Sequence, residues 1–366
     1  MIPLLRPTLP KLASLQGKLK DVFRTGMLTN AKYVREFENR CAEYLGVKHA
    51  IAVANGTSAL MLALTCLDMK GEVILPSFTY SSDGHVLLWC GVKPKFADID
   101  PATLNLDPES IERSITSRTQ AIMPTHVFGN PCEIDAIGKI ARKHNVKVIY
   151  DGAHAFGSVY HGKSVLGFGD VSIVSLTPTK TLTTGEGGLL IVNDEKLARK
   201  MKLGRYNGDS ENRNEEFLGI TARMDELSAI LGIEGLKIFP KMQRRRLHLV
   251  ELYRRELHGL PGITFQKISS GSISAYKDLV ILVDKEKFGI SRDELIGELR
   301  KKNIETKAYF YPIHKKKVYE RYQNLRLPNT ELVWEKIMNL PLYSHMPEQY
   351  AKKVCSVIQS IHQKHI

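Results

Sequence analysis

With 366 residues, 43% of them apolar and 25% charged, the chain has the make-up of a globular protein large enough for two domains. Its 52 lysines and arginines outnumber 39 acidic residues to give +13, which favours an anionic partner without choosing among nucleic acid, a membrane surface and a phosphorylated metabolite. No apolar run approaches the ~20 residues that span a bilayer, the N-terminus lacks the layout of a signal peptide, and five scattered cysteines without a C-x-x-C exclude a disulfide framework and a zinc site. No metal site and a cytoplasmic location are expected.

In chain order, VREFENRCAEYLG (34–46) predicts an amphipathic helix stopped by Gly46. From residue 50 to 194, short apolar runs alternate with helical periodicity. AIAVA (50–54), EVILP (72–76), KPKFADI (93–99), AIMPTHV (121–127), VKVIYD (146–151), DVSIVSL (170–176) and LLIVN (189–193) read as strands, and 57–68, 79–90, 108–116 and 132–144 as helices. This alternation predicts an α/β fold with a mostly parallel sheet covered on both faces. In such sheets ligands sit at the carboxyl ends of the strands. MDELSAILGIEGLKIF (224–239) and RRLHLVELYRREL (245–257) read as two helices separated by Pro240. Beyond about 262 the pattern turns α+β, with strands at 275–283 and 304–312, a helix from the Ser291/Glu294 capping box to Lys302, and a closing helix from Glu348. A large domain over 1–240 and a smaller one over 241–366 are expected.

Three stretches carry chemistry, and each falls at an expected strand end. NGTSAL (55–60) opens a helix with a glycine and two hydroxyls, which suits a phosphate, although Thr57 by itself reads as well as an N-cap. In VIYDGAHAFGS (148–158), Asp151 closes an apolar strand and either caps the next segment or faces the crevice. In SLTPTKTLTTGEGG (175–188), Lys180 sits among hydroxyls before a glycine-rich turn. A lysine amine forms a Schiff base with an aldehyde cofactor, and pyridoxal phosphate also requires a carboxylate against its ring nitrogen and a phosphate cradle. The chain supplies all three.

Together with LPSFTYSS, KPKFADID, PTHVFGNP, ARMDELSAILG, YFYPIH and NLPLYS, these stretches make nearly the whole chain resemble the DegT/DnrJ/EryC1/StrS sugar aminotransferases, within the fold-type-I pyridoxal-phosphate enzymes. The resemblance implies a large cofactor domain whose mostly parallel sheet is sandwiched by helices, plus a smaller α+β C-terminal domain. It implies that Lys180 binds the cofactor covalently and shuttles the proton, while Asp151 pairs with the ring nitrogen. His154 would lie beside the ring oxygen, and Ala153 and Tyr80 against the two ring faces. Gly56, Thr57, Ser58 and Ser175 would form the phosphate site, and Tyr311 and His314 would lie near the substrate. Two positions depart from the family pattern: Thr221 stands where an Asn commonly reaches the neighbouring subunit's cofactor phosphate, and Thr177 where a His is common. Dehydratase relatives replace the lysine with histidine; Lys180 therefore points to transamination.

The expected reaction moves an amino group from glutamate to a keto-sugar, most simply a nucleotide-linked one, in a homodimer with shared active sites and no nucleic-acid or membrane partner. Lys315, Lys316 and Lys317, directly after YPIH, are the candidate site for the diphosphate, whereas Arg244, Arg245 and Arg246 read as a solvated basic face. Glu186 reads as an acid bonding its own turn's backbone. The rival readings are a nicotinamide-dependent oxidoreductase, which would want a G-x-G-x-x-G that the chain lacks, a pyridoxal-phosphate enzyme with another outcome or ketose, and a regulatory or anion-binding protein.

Overall fold

The computed structural model describes residues 1–209, 214–322 and 324–365. Its centre is a seven-stranded sheet in the order His49–Val53, Gly188–Val192, Val171–Ser175, Lys147–Asp151, Thr119–Ile122, Glu72–Pro76, Lys93–Ala97. The last five strands pair in parallel, and Gly188–Val192 runs antiparallel to both of its neighbours. Glu72–Pro76, Val171–Ser175 and Gly188–Val192 are buried at every position, which explains why their sequences are apolar without alternation. Two hydrophobic cores lie against this sheet. One gathers Val34, Phe37 and Cys41 of the helix Lys32–Leu45 with Ile230 and Ile233, and the other gathers Leu60 and Leu64 with Val86 and Met201.

The antiparallel strand has a direct consequence for the site. Ser175 pairs in register with Gly188, so the segment 176–187 between them is folded as a connection at one sheet end, and Lys180 lies in it. Asp151 ends the adjacent parallel strand, and the helix Gly56–Cys66 starts just after His49–Val53. All three predicted stretches therefore meet at that end of the sheet.

Two expectations are corrected. Glu226–Glu256 is one helix that continues through Pro240. Proline removes one helical hydrogen bond and costs ~3 kcal/mol or more, but Leu236 and Phe239 before it and Leu249, Val250 and Tyr253 after it are all buried, so packing on both sides keeps the helix together. The segment 304–312 is no strand; it touches others only through single bridges, Ile304 with Ile2 and Lys307 with Asn339. Its aromatic residues instead wall a cavity described below.

The smaller C-terminal α+β unit has a three-stranded antiparallel sheet, Ile263–Phe265, Leu279–Val283 and Ile337–Leu340. Against it pack the end of the long helix and the helices Arg292–Lys301 and Glu348–Gln363, with Ile2 from the N-terminus in the same core. Ser291 caps Arg292–Lys301 reciprocally with Glu294, as its sequence predicts. The arginine triplet is not a solvated face. Arg246 is buried and donates to the carbonyls of Tyr276 and Lys277 at 3.0 and 3.3 Å, and Arg245 pairs with Glu348 at 2.6 Å, while Arg244 is exposed.

Candidate active site

A cavity of about 320 Å³ opens at the carboxyl ends of Lys147–Asp151 and Val171–Ser175. Of the expected site residues, Gly56, Thr57, Tyr80, Asp151, Ala153, His154, Ser175 and Lys180 line it. Each reaches it for a local reason. Asn55 caps the helix Gly56–Cys66, its Oδ1 accepting from the Ser58 amide at 2.8 Å, while Ser58 Oγ accepts from the Asn55 amide at 3.2 Å. This reciprocal cap occupies Ser58 and keeps it out of the cavity. It sets Gly56 and Thr57, both lining the cavity, in the first turn of the helix, where amides have no intrahelical acceptor and the dipole end is positive. A Cβ on Gly56 would lie 3.1 Å from the Ser175 Cβ, so glycine lets the helix start approach the strand end that carries Ser175. Ser175 and Thr177 share a hydroxyl contact of 3.3 Å beside this start.

Asp151 is buried, and its Oδ1 accepts from the Ala153 amide at 2.9 Å. Lys180 has no hydrogen-bond or ion-pair partner for its amine among the described residues, and burial, then the nearby positive charge of Lys277, lowers its pKa to about 8. A half-buried, unpartnered amine on a cavity is an available nucleophile. Half of the hydroxyls around the lysine serve backbone instead: Thr181, Thr183 and Thr184 donate to the carbonyls of Phe156, Leu176 and Glu186. Only Ser175 and Thr177 of that stretch's hydroxyls line the cavity.

The His154 ring is held by its back edge. Its Nδ1 accepts from the Phe128 amide at 3.2 Å, and its plane lies nearly parallel to the Phe128 and Phe310 rings, with centroids 6.1 and 5.8 Å away. Gly129, with φ +91°, permits this packing, since a Cβ there would lie 2.8 Å from the His154 carbonyl oxygen. Burial, reinforced by Lys180 and Lys277, pushes the imidazole well below its ordinary pKa, so it stays neutral.

A second cavity of about 620 Å³ shares Tyr80, His154 and Lys180 with the first and adds Lys277, Tyr309, Tyr311 and Lys316. Tyr311 thus lies where the sequence expects it. His314 does not; it is fully buried, with Nδ1 against Ser77 Oγ at 2.5 Å. Lys315 also points elsewhere, paired with Glu331 at 3.0 Å, and Lys316 takes the cavity position with its amine on Ser81 Oγ at 2.5 Å. Thr221 lies exposed outside its own chain's cavity and donates to Asn207 Oδ1 at 2.9 Å. Glu186 lines the first cavity and is exposed, rather than bonding its turn's amides through its carboxylate. Sequence reasoning missed Asn55, Thr79, Asp83 and Lys277; Asn55, directly before the GTS run, carried an N-cap signal, but Asp83 reads as an ordinary first-turn acid.

With this geometry in view, comparison with known proteins is decisive. Residues 12–359 match the model of the DegT/DnrJ/EryC1/StrS aminotransferase family. The chain is 36% identical to dTDP-4-amino-4,6-dideoxy-D-glucose transaminase of Shigella dysenteriae, covering 97% of this chain and 98% of that one. It is 32% identical to GDP-perosamine synthase of Vibrio cholerae, covering 98% and 99%. Among solved structures, DesI in the presence of its TDP-sugar product superposes with a TM-score of 0.94 at 31% identity, covering 100% of this chain and 94% of that one. The resemblance read from the sequence is borne out: the chain belongs to the DegT/DnrJ/EryC1/StrS aminotransferase family.

Proposed function

We propose that this aminotransferase uses pyridoxal 5'-phosphate to move an amino group from glutamate to a nucleotide-linked keto-sugar. The observation that carries the reading is the unpartnered amine of Lys180, opening on one cavity with the buried Asp151 and the helix start at Gly56. The donor set fits the cofactor. First-turn amides at Gly56 and Thr57 and the hydroxyls of Thr57, Ser175 and Thr177 suit a phosphate dianion, and Asp151 suits a protonated ring nitrogen. When bound, the cofactor supplies an aldehyde for the amine and a ring that withdraws electrons from the substrate carbon.

The chain's residues would do the rest. Lys180 Nζ, released to the cavity, would take a proton from the substrate carbon and return it two atoms away, on the far side of the transferred nitrogen; its depressed pKa suits both directions near neutral pH. Asp151 would hold the ring nitrogen protonated. His154, its Nδ1 occupied by the Phe128 amide, would present Nε2–H to the ring oxygen. The second cavity, bearing Lys277, Lys307 and Lys316, would take the acceptor, its cations offsetting a diphosphate. The dTDP- and GDP-sugar names of the relatives agree with such an acceptor. Thr221, exposed outside its own chain's cavity, would reach the neighbouring subunit's site in a homodimer.

The test is the visible spectrum of the protein with added pyridoxal phosphate, for wild type and Lys180→Ala, before and after glutamate. A visible band that is present only with the lysine and bleached by glutamate is expected. A wild-type protein that takes up no cofactor, or whose band ignores glutamate while another amino donor bleaches it, would overturn the cofactor or the donor respectively.

A further inference from the structure

Asp83 is a carboxylate with no evident reason to be where it is. It lies in the first turn of the helix Ser81–Trp89 yet is only 1% exposed. Its Oδ2 accepts from Thr79 Oγ1 at 2.6 Å and from Thr125 Oγ1 at 3.1 Å, and these two hydroxyls are 3.0 Å apart. Thr125 bridges in parallel to Asp151, which brings the Asp83 and Asp151 carboxyls within hydrogen-bonding reach of each other on the same cavity. Neither has a lysine or arginine at ion-pair distance among the described residues. Two adjacent buried carboxyls without a cation between them do not both ionise.

The proton has a preferred side. Burial raises Asp151 as well, but it accepts the Ala153 amide and feels the positive charge of Lys180, both of which favour its ionised form over that of Asp83. Asp83 is raised well above the ordinary carboxyl range by burial and then by the Asp151 charge. With Oδ2 taken by two threonine hydroxyls, its other oxygen is left for an O–H.

We propose that Asp83 is a positioning residue: protonated, it donates a hydrogen bond to Asp151 and so fixes the direction and the single negative charge of the carboxylate that meets the cofactor ring. The role rests on the cofactor reading above. It differs from that of an ordinary first-turn acid, which would be ionised and favoured by the helix dipole. The titratable groups facing Asp83 are Asp151, Lys180 and Tyr319; His85, on the same helix, stacks on Tyr319 at 5.9 Å.

Asp83→Asn separates the two roles. The amide keeps an acceptor for both threonines and a donor for Asp151 but cannot lose a proton. In the full chain without cofactor, an acid held protonated by folding stabilises fully below its unfolded pKa, and that contribution is lost as pH rises toward the folded value. The unfolding midpoint of wild type should therefore fall relative to Asp83→Asn as pH goes from 5 to 7.5. With pyridoxal phosphate added, Asp83→Asn should keep its affinity within about twofold, while Asp83→Ala should lose on the order of tenfold, as for one lost charge-assisted hydrogen bond. A midpoint difference that does not change with pH, or an Asn variant that loses cofactor as Ala does, overturns the proposal. If Ala does not fold, the pH arm and the Asn affinity still decide. Should wild type bind no cofactor, the cofactor reading fails, while the pH arm still reports on the carboxyl pair.

Discussion

The Phe128 amide donates to His154 Nδ1 at 3.2 Å, and this bond sets the tautomer: the ring proton must sit on Nε2, the nitrogen left for the cavity. Glutamine at 154 can offer an N–H to the cavity and should retain cofactor, whereas His154→Leu should cost about 1.5–3 kcal/mol of cofactor binding, the range for a hydrogen bond to a charged group. Burial holds the wild-type imidazole neutral, so His154 should add no step to cofactor affinity as pH falls from 7 to 5.5. Titration with pyridoxal phosphate across that range checks both statements, and a step lost in His154→Gln would contradict the second.

Gly56 makes a sterically sharper case. A Cβ there meets the Ser175 Cβ at 3.1 Å, closer than side chains ordinarily pack, so Gly56→Ala should push the helix start from the strand end. The expected cost is ~1–3 kcal/mol of stability from overpacking, with a parallel loss of cofactor affinity. Gly17 is the control. It is exposed in the helix Leu12–Thr25 with nothing within 4 Å of its would-be Cβ, so Gly17→Ala should stabilise by roughly 0.5–1 kcal/mol. Urea unfolding of both variants measures the contrast.

What the sequence revealed and concealed follows from how each residue reaches the site. Gly56, Asp151 and Lys180 sit at ends of strands whose apolar runs are visible locally, so the rule for parallel sheets brings them together without any knowledge of packing. Asp83 opens the helix after the parallel strand Glu72–Pro76, where a first-turn acid ordinarily serves the helix dipole, and Lys277 arrives from the C-terminal unit through tertiary packing, so no local pattern marks either as a site residue. Pro240 misleads for the complementary reason: its local cost is real, but burial on both sides outweighs it. The alternation in 304–312 mimics a strand while Phe310 in fact stacks against Phe128 and His154. Lysines 315 and 316 show the limit of cluster reading, since adjacent side chains point to different partners.

The acidity of Lys180 predicts a pH profile. Only the neutral amine attacks an aldehyde, so covalent capture of pyridoxal phosphate, trapped with borohydride, should accelerate with pH and level off near 8. An ordinary lysine would keep accelerating toward ~10.4. Removing the neighbouring positive charge with Lys277→Met should move the plateau upward, and removing the attractive carboxylate with Asp151→Asn should move it downward. Shifts of the opposite sign would mean that these charges do not act on the amine as their positions require.

Arg246 should prove structural. It is buried without a carboxylate at ion-pair distance among the described residues, and burial lowers even its guanidinium pKa to about 10. Its bonds go to the carbonyls of Tyr276 and Lys277, on the stretch that carries Lys277 to the second cavity. Arg246→Met keeps the apolar stem and strands those carbonyls, so stability should fall by ~1–3 kcal/mol, measured by denaturant unfolding. Arg244→Met, on the exposed neighbour, should change it by less than about 0.5 kcal/mol.

Lys316 and Lys315 offer the most direct test of acceptor binding, because these sequence neighbours point to different places. Lys315 is held by Glu331 at 3.0 Å, away from the cavity, while Lys316 lines it and rests on Ser81 Oγ. A cation that meets a distant diphosphate stabilises bound substrate and transition state equally, so its loss should raise KM and leave kcat unchanged. Lys316→Met should therefore raise KM for a nucleotide-linked keto-sugar by about tenfold, the equivalent of ~1.4 kcal/mol, and leave the glutamate half-reaction untouched. Lys315→Met should alter neither constant by more than about twofold, since it removes only a partly exposed ion pair. Equal effects at the two positions would place the diphosphate elsewhere; a fall in kcat at Lys316 alone would mean that its contact forms only at the transition state.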